Sequence, residues 1–363
     1  MNPYDFARID WNRPPSRRAP IWHHQLIGQN GQPLYSGSLE VDLFAETPLF
    51  ISDPINDLDD LGQAALSMQN RRGYYIIPGS SLKGMLRGVV EALGNGCLTL
   101  FDGDYERRSN HAVDYRDKAP RSFQRCESNS QLCIACRIFG MLKERSDSVF
   151  LGKVNVGDAV AVAGKVYEYG ETHLDALMGP KPHHQAFYLD GAKRYLAGRK
   201  FYFHHLELTP ARDGARQIFI LPLDYNAQFR VRVDFTALEA DEFGALLFAI
   251  ALEEEMRHKI GYGKPLGLGS VYLQPVKLRL IDYAARYRAG AAGGKTELEG
   301  EAMWKKLYTH INDFLQHHAA PLALDDLRRI WRWEPDPNVN YHYPDRAWFD
   351  APGNSMLPIA QTP

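Results

Sequence analysis

Leu39, Val41, Leu43 and Ala45 alternate with Glu40, Asp42, Phe44 and Glu46, the period of a half-buried strand. Phe229, Val231, Val233 and Phe235 do the same against Gln228, Arg230, Arg232 and Asp234. Thr47 to Ile51 is expected to extend the first of these strands. Tyr74-Tyr75-Ile76-Ile77 is aromatic and β-branched, which suits a pleated buried surface, and Pro78-Gly79 breaks it. Leu82, Met85, Leu86, Val89, Val90 and Leu93 then recur at helical spacing, with Ser80 placed as the N-cap. A second helix is expected from about Asp241 to Glu254, its first turn acidic as the helix dipole favours. Val149–Val156, Arg199–His205, Gln217–Leu221 and Ser270 to about Leu280 are further strands; residues 179–189 form a loop with a strand-like end.

In chain order this is β-α-β, insertions, then β-α-β, the ferredoxin-like (RRM-like) plan of an α+β fold. It occupies residues 35–281. Within it, residues 53–73 lack periodicity and form an excursion, while 97–148 make a polar lobe with too little apolar content for a core of its own. Residues 1–34 are a lead-in whose first twenty positions read as a mobile arm. Residues 282–300 are a flexible linker, rich in Ala, Gly and charge. In 301–363, apolar stripes at Trp304–Leu315 and Leu324–Trp333 predict two helices packed on the domain, followed by a tail.

The chain has 363 residues and a formal charge of −2, which excludes a generically basic nucleic-acid binder. Any such site must be local. Residues 61–90 contain no acid but hold Arg71, Arg72, Lys83 and Arg87; residues 256–281 contain none but hold Arg257, Lys259, Lys264, Lys277 and Arg279. The N-terminus has no apolar signal core and no run reaches the ~18 residues of a membrane span. A cytoplasmic protein without disulfides and without membrane contact is the expectation.

Five groups of residues carry candidate chemistry. Ser80, Ser81, Lys83 and Arg87 at a helix start could hold phosphate, or be an ordinary capped helix with solvated cations. The run Gly261-Tyr262-Gly263-Lys264-Pro265-Leu266-Gly267-Leu268-Gly269 precedes a strand and lacks Gly-Lys-Ser/Thr. It is therefore neither a dinucleotide fingerprint nor a P-loop. It is a tight connection, or a loop able to lie against a polyanion. Cys97, Cys126, Cys133 and Cys136 fall as C-x28-C-x6-C-x2-C in one polar segment, which favours structural Zn²⁺ over a redox pair; His111 could replace Cys97. Asp53, Asp57, Asp59 and Asp60 are a solvated acidic loop or a site. His-His pairs at 23–24, 183–184, 204–205 and 317–318 are poor chelates and suit polar surface or RNA stacking, with Arg194, Arg199 and Lys200 close by in sequence to the middle two.

Taken in order, Thr47-Pro48-Leu49, Ile77-Pro78-Gly79-Ser80-Ser81-Leu82-Lys83-Gly84, Cys136-Arg137-Ile138-Phe139-Gly140 and the glycine run resemble the RAMP superfamily, the RNA-binding subunits of type III CRISPR effector complexes. Gly152-Lys153-Val154, Asp158-Ala159, Pro180-Lys181-Pro182 with Phe187-Tyr188, and Arg199-Lys200-Phe201-Tyr202 look like the zinc-containing modules of the type III-D, III-E and type VII systems. The resemblance implies a RAMP core with a zinc-binding insertion, a thumb-like protrusion at 53–73 and a C-terminal helical extension. It implies a guide CRISPR RNA held by Ser80, Ser81, Lys83, Arg87, Arg199, Gly263, Lys264, Gly267 and Gly269. Target RNA, copies of the same chain and other effector subunits would be its partners in antiviral defence. In type III relatives a carboxylate of the protrusion serves Mg²⁺-dependent cutting of target RNA, which makes Asp59 and Asp60 the candidate catalytic residues. A metal-independent guide-processing endonuclease is the further alternative.

Overall fold

The structure, a computed structural model, describes residues 1–28, 31–53, 64–98, 118–142, 149–179, 184–192, 194–212, 216–287 and 293–357. In chain order, β1 (Tyr4–Ala7) and β2 (Tyr35–Ala45) are followed by β3 (Ile76–Ile77) and α1 (Gly79–Leu93). Then come α2 (Ile134–Phe139), β4 (Val154–Val156), β5 (Ala159–Ala161) and β6 (Arg199–Tyr202). β7 (Gln228–Leu238), α3 (Ala240–Ala251), β8 (Ser270–Ile281) and β9 (Lys295–Leu298) lead to α4 (Gly300–His317) and α5 (Pro321–Ile330).

The central sheet runs β8–β2–β7–β5–β3 with every pairing antiparallel; β4 also pairs with β7 and β9 with β8. This is the expected ferredoxin-like order, with β2, β4/β5, β7 and β8 as its four strands. The predicted alternation holds: Leu39, Val41, Leu43, Phe229, Val231, Val233 and Phe235 are all buried. They form one core with the apolar stripe of α1 and with α3, against which α4 packs. A reciprocal capping box between Glu239 and Glu242 starts α3.

Several expectations need correction. Pro78, not Ser80, is the N-cap of α1, and the N–H of Gly79 donates to Asp158 Oδ1 at 2.8 Å. A Cβ on Gly79 would lie 2.1 Å from the carbonyl oxygen of Val156, so only glycine lets this helix begin against β4. β2 stops at Ala45, and Thr47–Ile51 leaves the sheet, bridging through Leu49 to Leu223. The N-terminal arm is docked: β1 pairs with β6, Arg8 meets Asp326 at 2.8 Å and Arg18 meets Asp241 at 2.7 Å. The 282–300 segment contains β9, which extends the sheet beside the end of β8. Residues 185–188 form a helical turn, not a strand.

The cysteine segment differs most from expectation. It has no need of a separate core, because α2 wedges against α1 and α3 and buries Ile134, Ile138 and Phe139 in the main one. A smaller sheet (Ala65–Leu66, Gln217–Leu221, Thr172–Asp175) has its own core of Phe50, Leu174, Ile218, Ile220, Leu266 and Leu268. Two of those residues belong to the glycine run, which is thereby anchored. No described helix is long and apolar enough to cross a membrane.

Candidate nucleic-acid interface and metal centre

Strand register relates two distant sequence motifs across the sheet. Tyr272 at the start of β8 lies opposite Phe44, which lies opposite Gln228. One position along, Phe229 lies opposite Ala161, and Val160 opposite Ile76. The glycine run feeds β8 from this end, whereas β3, parallel to β8, runs away from it into α1 through Pro78. The path from β8 to β3 crosses four strand steps, about 19 Å at the usual spacing.

On α1, Ser80 and Ser81 are exposed, and Lys83 has no partner among the described residues. Partial burial, and then the nearby Arg87, lower the Lys83 pKa. Gly84 and Gly88 continue the serine face, and a Cβ at either would meet nothing within 4 Å. Mid-helix glycine costs about 1 kcal/mol relative to alanine, so packing inside the chain gives these two no reason to be there. A bare stripe beside a free cation admits a bulky polyanion closely.

Arg87 is turned the other way. Its guanidinium donates to Glu91 Oε1 at 2.8 Å, to the carbonyl of Gly140 at 3.0 Å and to Cys136 Sγ at 3.6 Å. Arg199 is equally committed: it reaches Glu91 Oε2 at 3.0 Å and the carbonyls of Gly96 and Cys97, each at 2.9 Å. Both arginines, expected from the resemblance to be among the RNA-binding residues, frame the cysteine cluster through a shared Glu91.

The glycine loop is built on left-handed backbone. Gly267 and Gly269 have φ of +100° and +75°, and a Cβ on them would fall 2.6 Å from the Glu207 carbonyl and 1.9 Å from that of Ile260. Gly263, also at positive φ, opens the short turn that carries Lys264. Lys264 Nζ donates to the Gly261 carbonyl at 2.7 Å, and buried Lys259 to that of Leu268 at 3.0 Å. Burial, reinforced by Lys264, pulls the Lys259 pKa down to about 7. The remaining cations of this acid-free window find acids elsewhere: Arg257 on Glu46 at 3.0 Å, Lys277 on Glu299 at 2.9 Å and Arg279 on Glu297 at 2.8 Å.

His23, His24, His317 and His318 are exposed as expected, but His184, His204 and His205 are buried. His204 bridges Ser270 Oγ at 2.9 Å and the Arg257 carbonyl at 3.0 Å, and burial holds its pKa well below the usual value. These are interior polar groups, not a stacking surface.

The four cysteines meet. Their sulfurs all lie within 4.8 Å of one another, every one is buried, and none is in a disulfide. Cys97 Sγ is 3.7 Å from both Cys133 Sγ and Cys136 Sγ. Four sulfurs set about 2.3 Å from a central ion would be about 3.8 Å apart, so the arrangement fits a tetrahedral thiolate site. The Cys133 N–H donates to Cys126 Sγ at 3.3 Å and Arg87 to Cys136, the outer-shell support that thiolates require. Beside the cluster, buried Arg137 binds Glu242 at 2.7 Å and Asp241 at 2.9 Å, and Lys153 also pairs with Glu242. Asp158 stood out in the sequence only as part of a family motif, and Glu91 and Glu242 not at all; partners from remote segments give all three their roles. Asp57, Asp59, Asp60 and His111 lie outside the described residues.

No curated protein matches the sequence. Among solved structures the chain is similar to one in the cryo-EM structure of the type III-B Cmr-beta complex bound to cognate target RNA, at 14% identity and a TM-score of 0.36. The likeness covers 68% of this chain and 61% of that one. A family model described as RAMP superfamily matches residues 43–272, from within β2 to the start of β8, and the chain belongs to the RAMP superfamily.

Proposed function

We propose that this chain is a guide-RNA-binding backbone subunit of a class 1 CRISPR ribonucleoprotein. In this reading it assembles along the guide with copies of itself and other subunits and helps present the guide to complementary target RNA. Membership of the RAMP superfamily supports the class of ligand. The observation that carries the reading is the face of α1: exposed Ser80 and Ser81, unpartnered Lys83, and Gly84 and Gly88 with open space above them. The guide backbone would pass along that face and across the sheet toward the glycine loop with Lys264. Arg87 and Arg199 have other work at the cysteine cluster, which we assign to structural Zn²⁺ held by Cys97, Cys126, Cys133 and Cys136.

The test is RNA binding across a salt series. Lys83→Ala should weaken single-stranded RNA of any sequence and reduce the slope of log affinity against log salt by about 0.7. An unchanged affinity and slope would overturn the assignment of this face.

A further inference from the structure

Lys200, on β6, holds its ammonium 3.7 Å from the ring centre of Tyr4 and 4.8 Å from that of Tyr202. It donates to Tyr343 Oη at 3.2 Å. Lys264, arriving from the glycine loop, lies 5.9 Å from the same Tyr202 ring. Three remote segments thus converge: β1 brings Tyr4, β6 brings Lys200 and Tyr202, and the C-terminal tail brings Tyr343. The tail is tied down there, since the His342 N–H donates to the Met1 carbonyl at 3.0 Å.

Among the described residues, most buried or half-buried cations face carboxylates. Here the hydrogen-bond acceptors of Lys200, Lys259 and Lys264 are all neutral: Tyr343 Oη, the Leu268 carbonyl and the Gly261 carbonyl. Among the described residues no acid pairs with any of the three. Lys259 is buried and Lys264 half-buried, whereas Lys200 lies at the exposed edge, and cations held this close repel one another. Burial and then Lys264 bring the Lys200 pKa down to about 8. The tyrosine faces offset part of that cost, but a face is a weaker partner than an anion. Burial foremost, with the neighbouring phenols, keeps Tyr4 and Tyr343 protonated, and Tyr202 is raised by burial too. Their hydroxyls remain able to donate.

We propose that Lys200 and Lys264, together with the Tyr202 and Tyr343 hydroxyls, form a phosphate subsite that takes a phosphate group of bound RNA next to the glycine loop. This rests on the RNA-binding reading above and extends the path beyond α1. Positive charge without a counter-ion beside a loop of bare backbone is what a phosphate completes.

The experiment is anisotropy of a labelled single-stranded RNA with the full-length chain across a salt series. Lys200→Gln and Lys264→Gln should each weaken binding roughly three- to tenfold and lower the salt slope by about 0.7. Lys200→Arg should keep the slope, which separates lost charge from lost folding. Equal losses on 5′-hydroxyl and 5′-phosphate RNA assign an internal phosphodiester; a loss confined to 5′-phosphate RNA assigns the terminus, and either supports the subsite. If Lys200→Gln binds as the parent does while Lys83→Ala is weakened, the subsite is refuted and the RNA reading stands. The subsite also falls if Lys200→Arg shows the same reduced slope as Lys200→Gln. If the parent chain binds no RNA, both readings fall.

Discussion

Arg87 sits one helical turn from Lys83, outside the apolar stripe of α1, yet the two side chains do different things. Lys83 is left without a described partner, whereas Arg87 is drawn into the cysteine cluster by Cys136, Gly140 and Glu91. A thiolate that accepts a guanidinium N–H is a better metal ligand, so Arg87→Met should weaken Zn²⁺ retention about tenfold or more in chelator competition. Its RNA salt slope should stay near that of the parent. A normal zinc affinity with a lowered slope would return Arg87 to the RNA. Lys259 offers a second test at this scale. Its folded pKa of about 7 is below the ordinary lysine value, so between roughly pH 7 and 10 the unfolded chain binds more protons and stability rises with pH. Lys259→Met should flatten that rise in denaturant midpoints; an identical pH profile would contradict it.

At the scale of the element, α1 is a helix whose buried stripe and exposed face answer to different demands. Leu82, Leu86, Val89 and Val90 fix it to the sheet, while Gly84 and Gly88 weaken it without a packing reason. Replacing both with alanine should stabilise the helix by up to about 1 kcal/mol each and raise Tm by a few degrees. The same double variant should bind RNA less well, because methyl groups would stand where the backbone passes. Higher Tm with undiminished RNA binding would remove the face from the path. α1 and β7 were readable because their periodicity is long and strong. Shorter elements were not: β1 is four residues and β9 is four, and neither has meaning until its partner strand is in place.

For the molecule as a whole, the cysteine cluster belongs to the main core and not to an appended lobe. Cys97, Cys126, Cys133 and Cys136 share that core with Val89, Val90 and Leu93 of α1 and with the side chains of α3. With zinc in the proposed site, a strong chelator should therefore lower the thermal midpoint of the entire domain in a single transition. A separate low-temperature step that leaves the remainder at its original Tm would mean an independent lobe. The charge pattern also changes meaning at this scale. The acid-free window at 256–281 looks basic along the chain, but Glu46, Glu297 and Glu299 arrive from outside it and neutralise most of its cations.

The order of strands and helices, the ferredoxin-like plan and the grouping of four thiols were legible along the chain. Periodicity reports burial directly, and cysteine spacing limits what the thiols can bind. Which cations remain free for a polyanion was decided only in three dimensions. Arg87 and Arg199 are claimed by Glu91 and by carbonyls around the cysteines, while Lys83, Lys200 and Lys264 meet no carboxylate among the described residues. A side chain's charge is written in the chain, but its counter-ion comes from wherever the fold brings an acid, and that is a property of packing.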